Sequence, residues 1–186
     1  GAQRPLLGTL GSAYCNLGQY ERAIEHHTQA LAISREIGDR RGEGSDLGGL
    51  GAAYLNLGQH DKAIEQYTDA LQISRAIGDR LSHCSHLGNL GNAYDSLGDC
   101  HKAIEYHEQA LAITCETGDR HLMQPVVSSW GRNLRQLAVL SAMPLTRPPV
   151  ILCSPGDVAI ARSDDQATRN HVATSAIITQ LLSPNM

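Results

Sequence analysis

Apolar and small residues recur along the first two thirds of the chain at helical spacing, and the spacing itself repeats. Leu7, Leu10, Gly11, Tyr14 and Leu17 fall at i, i+3, i+4, i+7 and i+10, one stripe of a 3.6-residue helix. Gly18 follows, and a residue without Cβ can take the left-handed conformation that closes a helix. Ala23, Ile24, His27, Ala30, Leu31 and Ile33 then form a second stripe that stops near Gly38. The pattern predicts two helices, A and B, joined by a tight turn. It returns twice: Leu7, Leu47 and Leu87 correspond, as do Gly11, Gly51 and Gly91, then Tyr14, Tyr54 and Tyr94, with Gly-Asp-Arg triplets starting at Gly38, Gly78 and Gly118, a period of 40 residues. A fixed period of that length marks a stacked repeat, in which one unit cannot bury its own apolar face and borrows a neighbour's.

The punctuation between units has a physical reading. Asp39, Asp79 and Asp119 stand directly after the stop glycine. There a carboxylate can accept from the opening N–H groups of the next helix A and favour its positive dipole end. One Asp per unit cannot converge on a metal, so a repeated acidic metal or catalytic site is disfavoured. Gly11, Gly51 and Gly91 lie mid-helix, where Gly costs about 1 kcal/mol relative to Ala. A cost repeated at one position calls for a packing reason, so helix B is expected to cross there. Ala23, Ala63, Ala103 and Ala30, Ala70, Ala110 supply the matching small surface.

Units therefore run over about 4–40, 41–80 and 81–120. A fourth begins in register, with Val127, Trp130, Gly131 and Leu137, which predicts a capping helix over about 122–140 with Pro125 in its first turn. Where its helix B should follow, Pro144, Pro148 and Pro149 forbid a continuous helix. Residues 1–140 thus form the array, and 141–186 read as an irregular tail or a fragment of another region. In that tail Val150–Cys153 could form a short strand before the turn Ser154-Pro-Gly-Asp157, and Ala167 to Leu182 a weak amphipathic helix. The absence of an initiator Met and of an opening turn before Leu7 fits a piece of a longer array.

Composition narrows the function. Phe is absent and Trp occurs once, so the core rests on Leu, Ile, Ala and Gly. The formal charge is -4, with 16 acids against 10 Lys and Arg in residues 1–120, and no basic cluster of the kind a nucleic-acid binder carries. No apolar run approaches the roughly 20 residues of a membrane span, so no membrane insertion is expected and a cytoplasmic setting is the default. The five cysteines are odd in number and unrelated in position, which points to thiols rather than a disulfide framework. His83, Cys84 and His86 are the tightest group of candidate metal ligands, but no second pair follows, so solvated polar residues at a helix start are the better reading. His27 and His107 occupy the slot that Tyr67 fills in the middle unit and read as packing residues with a polar edge. Cys100, in the place of Tyr20 and His60, reads as structural. No phosphate loop or nucleophile–base arrangement stands out, so no enzyme, cofactor or metal is expected.

The series Leu10-Gly11-x-x-Tyr14, Gly18-x-Tyr20, Ala23, His27, Ala30-Leu31 resembles the tetratricopeptide repeat. Two positions depart from it: Leu7, Leu47 or Leu87 stands where a larger residue is usual, and His27 or His107 replaces the mid-helix-B aromatic. The 40-residue unit with its LGNLGNAY phrase is similar to a long-helix subtype seen in spindle-orientation adaptors and multi-repeat scaffolds. The resemblance implies an all-α, right-handed α-solenoid whose A helices line a concave face. It places there Ser12, Cys15 and Asn16, then Ala52, Leu55 and Asn56, then Asn92, Asp95 and Ser96, then Arg132, Arg135 and Gln136. Asn amides both donate and accept, which suits them to a peptide backbone. Asp95 would favour a base on the ligand, and Arg132 and Arg135 an acid. The Lys-and-Asn set that clamps a terminal carboxylate in chaperone-binding members is missing. The expected function is a scaffold or adaptor that binds a protein or peptide ligand; the alternative is a sensor or regulatory spacer of a larger signalling NTPase or enzyme.

Overall fold

The computed structural model describes residues 3–117, 126–129, 131–133, 150–154 and 157–161. Six helices fill the first span: α1 (Gln3–Asn16), α2 (Tyr20–Ile37), α3 (Arg40–Asn56), α4 (His60–Ala76), α5 (Arg80–Leu97) and α6 (Cys100–Thr117). They form three hairpins, α1/α2, α3/α4 and α5/α6. Each successive pair of helices packs together, and α2 against α3 and α4 against α5 join one hairpin to the next. Helix A of each unit also touches helix A of the following one, α1 on α3 and α3 on α5.

The turns form as their residues dictate. Gly18 and Gly38 take φ of 72° and 71°, the left-handed region that closes α1 and α2. Asp39 Oδ1 accepts from the Gly42 N–H at 2.9 Å and Asp79 Oδ1 from the Ser82 N–H at 3.1 Å, so both carboxylates cap the following helix A. Asp119 lies outside the described residues. The turn inside the third hairpin has a cap that its counterparts lack: Asp99 accepts from the Lys102 N–H at 3.1 Å, whereas Gln19 and Gln59 make no such side-chain bond.

The core follows the repeated columns. Ala23, Ala30, Ala63, Ala70, Ala103 and Ala110 are fully buried. Leu31, Leu47, Leu50, Ala70 and Ile73 pack together across α2, α3 and α4, and Ala63, Tyr67, Leu90 and Ala93 do the same one step along. Each Leu so buried contributes about 1.5–3 kcal/mol. The mid-helix glycines admit the large ring of the partner helix: a Cβ at Gly11, Gly51 or Gly91 would lie 2.6, 2.7 or 2.5 Å from His27, Tyr67 or His107. The crossing is where the sequence put it, but the group that fills it is this ring, with the alanines flanking it. Leu10 is 36% exposed whereas Leu50 and Leu90 are 4% and 0%, because among the described residues no helix B stands in front of α1. Leu17 departs from its expected stripe: it falls beyond the end of α1 and is 69% exposed.

The capping helix expected over about 122–140 falls largely outside the described residues; within them, 126–129 and 131–133 are helical, and Val126 packs on Cys84, Leu87 and Leu111. The strand expected at Val150–Cys153 is present as β1 (Val150–Ser154), paired antiparallel with β2 (Asp157–Ala161), Ser154 opposite Asp157. The weak helix expected over Ala167 to Leu182 lies outside the described residues. Cys15, Cys84 and Cys100 are thiols outside any disulfide, Cys84 Sγ donating to the Ala110 carbonyl at 3.5 Å, and Cys115 is disulfide-bonded, which corrects the expectation of thiols for that residue.

Candidate functional site

The A helices carry the expected surface positions at i, i+4 spacing, which keeps each pair on one helix face. Ser12 and Asn16 on α1, Asn56 on α3 and Asn92 and Ser96 on α5 are exposed; Ala52, Leu55 and Asp95 are half-buried. Part of Leu55 belongs to the core, since it packs against the cluster around Tyr67 and Leu90. Arg132 is exposed, with its guanidinium 3.4 Å from Ser129 Oγ. Arg135 and Gln136 lie outside the described residues. Cys15 is half-buried, and that burial raises its thiol pKa.

Several of these polar groups already bond within their own helix. Ser12 Oγ donates to the Gly8 carbonyl at 3.1 Å, Ser96 Oγ to Asn92 at 3.0 Å, and Asn56 Nδ2 to Ala52 at 2.8 Å. The hydroxyl protons of Ser12 and Ser96 are spent locally, so what these serines present outward is acceptor capacity, whereas Asn56 keeps a second amide N–H and its carbonyl oxygen.

Between α1 and α3 the structure opens a cleft of about 410 Å³ lined by Arg4, Gly8, Thr9 and Ser12 of α1, His27 of α2, and Ser45, Asp46 and Gly49 of α3. Behind it lies a polar network that joins the first two units. Arg4 Nε reaches Ser34 Oγ at 3.0 Å and Asp46 Oδ2 at 3.3 Å, Ser34 Oγ donates to Asp46 Oδ2 at 2.8 Å, and Arg4 Nη1 stands 3.6 Å from Asp39. Two carboxylates therefore share one guanidinium. Asp46 and His27 are 1% and 3% exposed, and neither ring nitrogen of His27 has a hydrogen-bond partner. The 3.9 Å from His27 Nδ1 to Asp46 Oδ1 is too long for a hydrogen bond. Small residues make this possible: a Cβ at Gly49 would lie 2.4 Å from the His27 ring, and one at Gly8 would lie 3.2 Å from Asp46 Oδ1.

Sequence reasoning did not find this cleft. The available signal was Asp46 itself, a charged residue beside the buried Leu47, in a column where the other units have Leu6, His86 and Val126. The reading of His83, Cys84 and His86 as solvated is corrected for two of them. Cys84 is 1% and His86 7% exposed, because stacking sets the start of α5 against neighbouring helices; Cys84 packs with Leu87 and Leu111. His83 Nδ1 stands 3.4 Å from Ser74 Oγ, and burial is the main cause lowering the pKa of both histidines. Among the described residues no group of three or more His, Cys, Asp or Glu could hold a metal ion, and no helix is long and apolar enough to cross a membrane.

A regular stack of helical hairpins, with its A helices side by side and polar positions in register along them, defines an α-solenoid repeat protein. The tetratricopeptide repeat model matches residues 3–76 and 47–116, together more than half of the chain, and the protein belongs to that family. No curated protein matches the chain. Among solved structures, the tetratricopeptide domain of Arabidopsis FLU is similar at 23% identity and a TM-score of 0.57, over 59% of this chain and 92% of that one. The TPR2AB domain of yeast Sti1, solved in complex with pHSP90, is similar at 23% identity and a TM-score of 0.65, over 80% of this chain and 52% of that one. A Signal Transduction ATPase with Numerous Domains from Pyrococcus horikoshii, which has a tetratricopeptide repeat sensor, is similar at 21% identity and a TM-score of 0.66, over 75% of this chain but only 22% of that one.

Proposed function

We propose that the chain is a non-catalytic adaptor that binds a peptide segment of another protein along the face formed by α1, α3 and α5. The observation that carries this reading is the asymmetry of the stack. A helices touch their successors, whereas no comparable contact joins α2 to α4 or α4 to α6 among the described residues. Elements that approach one another on one side and spread on the other curve the array toward the A side, and such concave faces are what repeat arrays use for binding. Ser12, Asn16, Ala52, Leu55, Asn56, Asn92, Asp95, Ser96, Arg132 and Arg135 are the residues assigned to it. A groove formed in advance leaves the ordering of the peptide as the main entropic cost, so a micromolar Kd is expected from so few units. A cytoplasmic setting belongs to the same reading, as does the similarity of the 40-residue unit to spindle-orientation adaptors.

A second reading takes the array as the sensor or spacer of a larger signalling NTPase. It is favoured by the Pyrococcus horikoshii ATPase, in which a comparable array serves as a sensor. The test of the first is to select peptides from a random phage-displayed library on the parent and measure their Kd for an Asn16→Ala, Asn56→Ala, Asn92→Ala variant. A loss of tenfold or more with an unchanged melting curve supports the groove; an unchanged Kd rejects it.

A further inference from the structure

We infer that the junction between the second and third hairpins is a proton-sensitive joint, which acidification loosens through His83 and His86. Equivalent positions of the two junctions show how it is made. Where α2 meets α3, Glu43 and Asp46 are carboxylates with cationic partners: Arg35 Nε lies 2.9 Å and Arg40 Nη1 2.5 Å from Glu43, and Arg4 Nε lies 3.3 Å from Asp46. Forty residues on, where α4 meets α5, the same two places hold His83 and His86. Two of the cations recur there. Arg75 stands for Arg35 in the last turn of α4, and its charge disfavours a proton on His83. Arg80 stands for Arg40 and pairs instead with Glu116 on α6. The slots that anions fill in the first junction therefore hold groups that are neutral at pH 7 and cationic in acid.

The packing at the joint opposes the added charge. His86 is 7% exposed and its Nδ1 has no hydrogen-bond partner; its ring lies against α3, where a Cβ at Gly48 would be 3.0 Å from Cε1. His83 is half-buried, one turn earlier on the same face of α5, with Nδ1 3.4 Å from Ser74 Oγ of α4. Burial is the first cause holding both imidazoles toward the neutral form, and at His86 the charge of His83 adds to it. Two groups pull the other way, the Leu71 carbonyl at His83 and the Asp79 carboxylate at His86. Asp79 is already engaged by the Ser82 N–H, the Ser82 hydroxyl and Arg41 of α3, at 3.1, 3.0 and 2.8 Å. On the Cys84 side α6 brings the Ala110 carbonyl and Leu111, the 126–129 helix brings Val126, and the α6 carboxylate Glu116 is held by Arg80. Both histidines bind a proton more weakly in the folded chain than in the unfolded one. Their contribution to the joint is therefore full above about pH 6.5 and is lost as pH falls below it. Because α3 on α5 is one of the contacts between A helices, the joint sets the spacing of those helices.

Amide hydrogen exchange of the 186-residue chain at pH 7 and pH 5, with rates corrected for the intrinsic effect of pH, tests this without any ligand, so its outcome is separate from that of the groove. Protection of the amides over 81–88 and of the last turn of α4 should fall about tenfold more on acidification than that of 41–48 and the last turn of α2, the loss that one unit of pKa shift produces. Ring NMR titration should show His83 and His86 both titrating below about pH 6.5. His83→Glu, which copies Glu43 and gives Arg75 an anionic partner, should reduce the acid loss. The pair His83→Gln, His86→Val, which titrates at neither place and copies Val126 at the second, should abolish it. Because the readout is a difference between two pH values, a variant that is only less stable still reports. Equal losses at the two junctions, a loss unchanged in the His83→Gln, His86→Val pair, or a loss that vanishes in His107→Tyr alone would each overturn the assignment. A titration of either ring above about pH 6.5 would do the same.

Discussion

Gly51→Ala sets two effects of opposite sign against each other, and the structure decides between them. In an exposed helix the change would stabilise by about 1 kcal/mol, because Ala is the better helix former. At Gly51 the added Cβ would lie 2.7 Å from Tyr67 Cε1, 2.8 Å from Cδ1 and 2.9 Å from Cζ. Carbon atoms in contact settle at about 3.5–4.0 Å, so the ring must retreat by nearly an ångström. It is 2% exposed and packed among Ala63, Leu90 and Ala93. Overpacking at the upper end of the usual range, about 3 kcal/mol, less about 1 kcal/mol of helix propensity, leaves a net loss of about 2 kcal/mol. Urea unfolding followed by circular dichroism should show the midpoint falling by about 1 M, taking a slope of about 2 kcal/mol/M. In a Tyr67→Leu background the colliding ring atoms are gone, so Gly51→Ala should become neutral or stabilising, a coupling of about 2–3 kcal/mol in the double-mutant cycle. A Gly51→Ala midpoint at or above the parent's, or additive effects in the cycle, would refute the assignment of this glycine to the helix crossing.

Other sites give smaller, separable effects. Asp79 is held down at about 2, first by the Ser82 backbone N–H and then by Arg41, so its contribution is present above about pH 4 and is lost as pH falls toward 2. Asp79→Ala should cost about 1–2 kcal/mol at pH 7, a penalty that shrinks across that window in urea melts. His107 is held down at about 4, first by burial and then by the Arg132 charge. The unfolded chain then binds the extra proton between about pH 6.5 and 4, and stability should drop by at most about 3 kcal/mol as pH falls through that range. His107→Tyr, which copies the middle unit, should fold with a stability within about 1 kcal/mol of the parent and show a flatter pH profile. Arg41 pairs with Asp79 at 2.8 Å but is largely exposed, so Arg41→Ala should cost less than about 1 kcal/mol and the loss should fade in high salt.

The architecture was legible because it rests on periodic and local chemistry. The helix stripes, stop glycines and Asp caps each act within a few residues, and the 40-residue register multiplies every such signal by three. What the pattern hid lies where the units differ. Asp46 meets Arg4 and Ser34 across 42 and 12 positions of chain, and a spacing rule derived from identical units is blind to a column that reads Leu6, Asp46, His86 and Val126. His27 was placed in the correct slot, but its missing hydrogen-bond partners depend on Gly49 of the next unit, a contact that only stacking creates. Leu17 was drawn into a helix by periodicity alone; the turn at Gly18 ends α1 before it. The cleft arises from that combination of shared scaffold and divergent columns.

The most direct test of the adaptor reading is an amide NMR shift map of the labelled chain saturated with a peptide selected on the parent. The account predicts that the largest changes fall on α1, α3 and α5, around Asn16, Asn56 and Asn92 and the cleft residues Gly8 and Gly49. Largest changes along the outward positions of α2, α4 and α6, with the A helices unmoved, would contradict it.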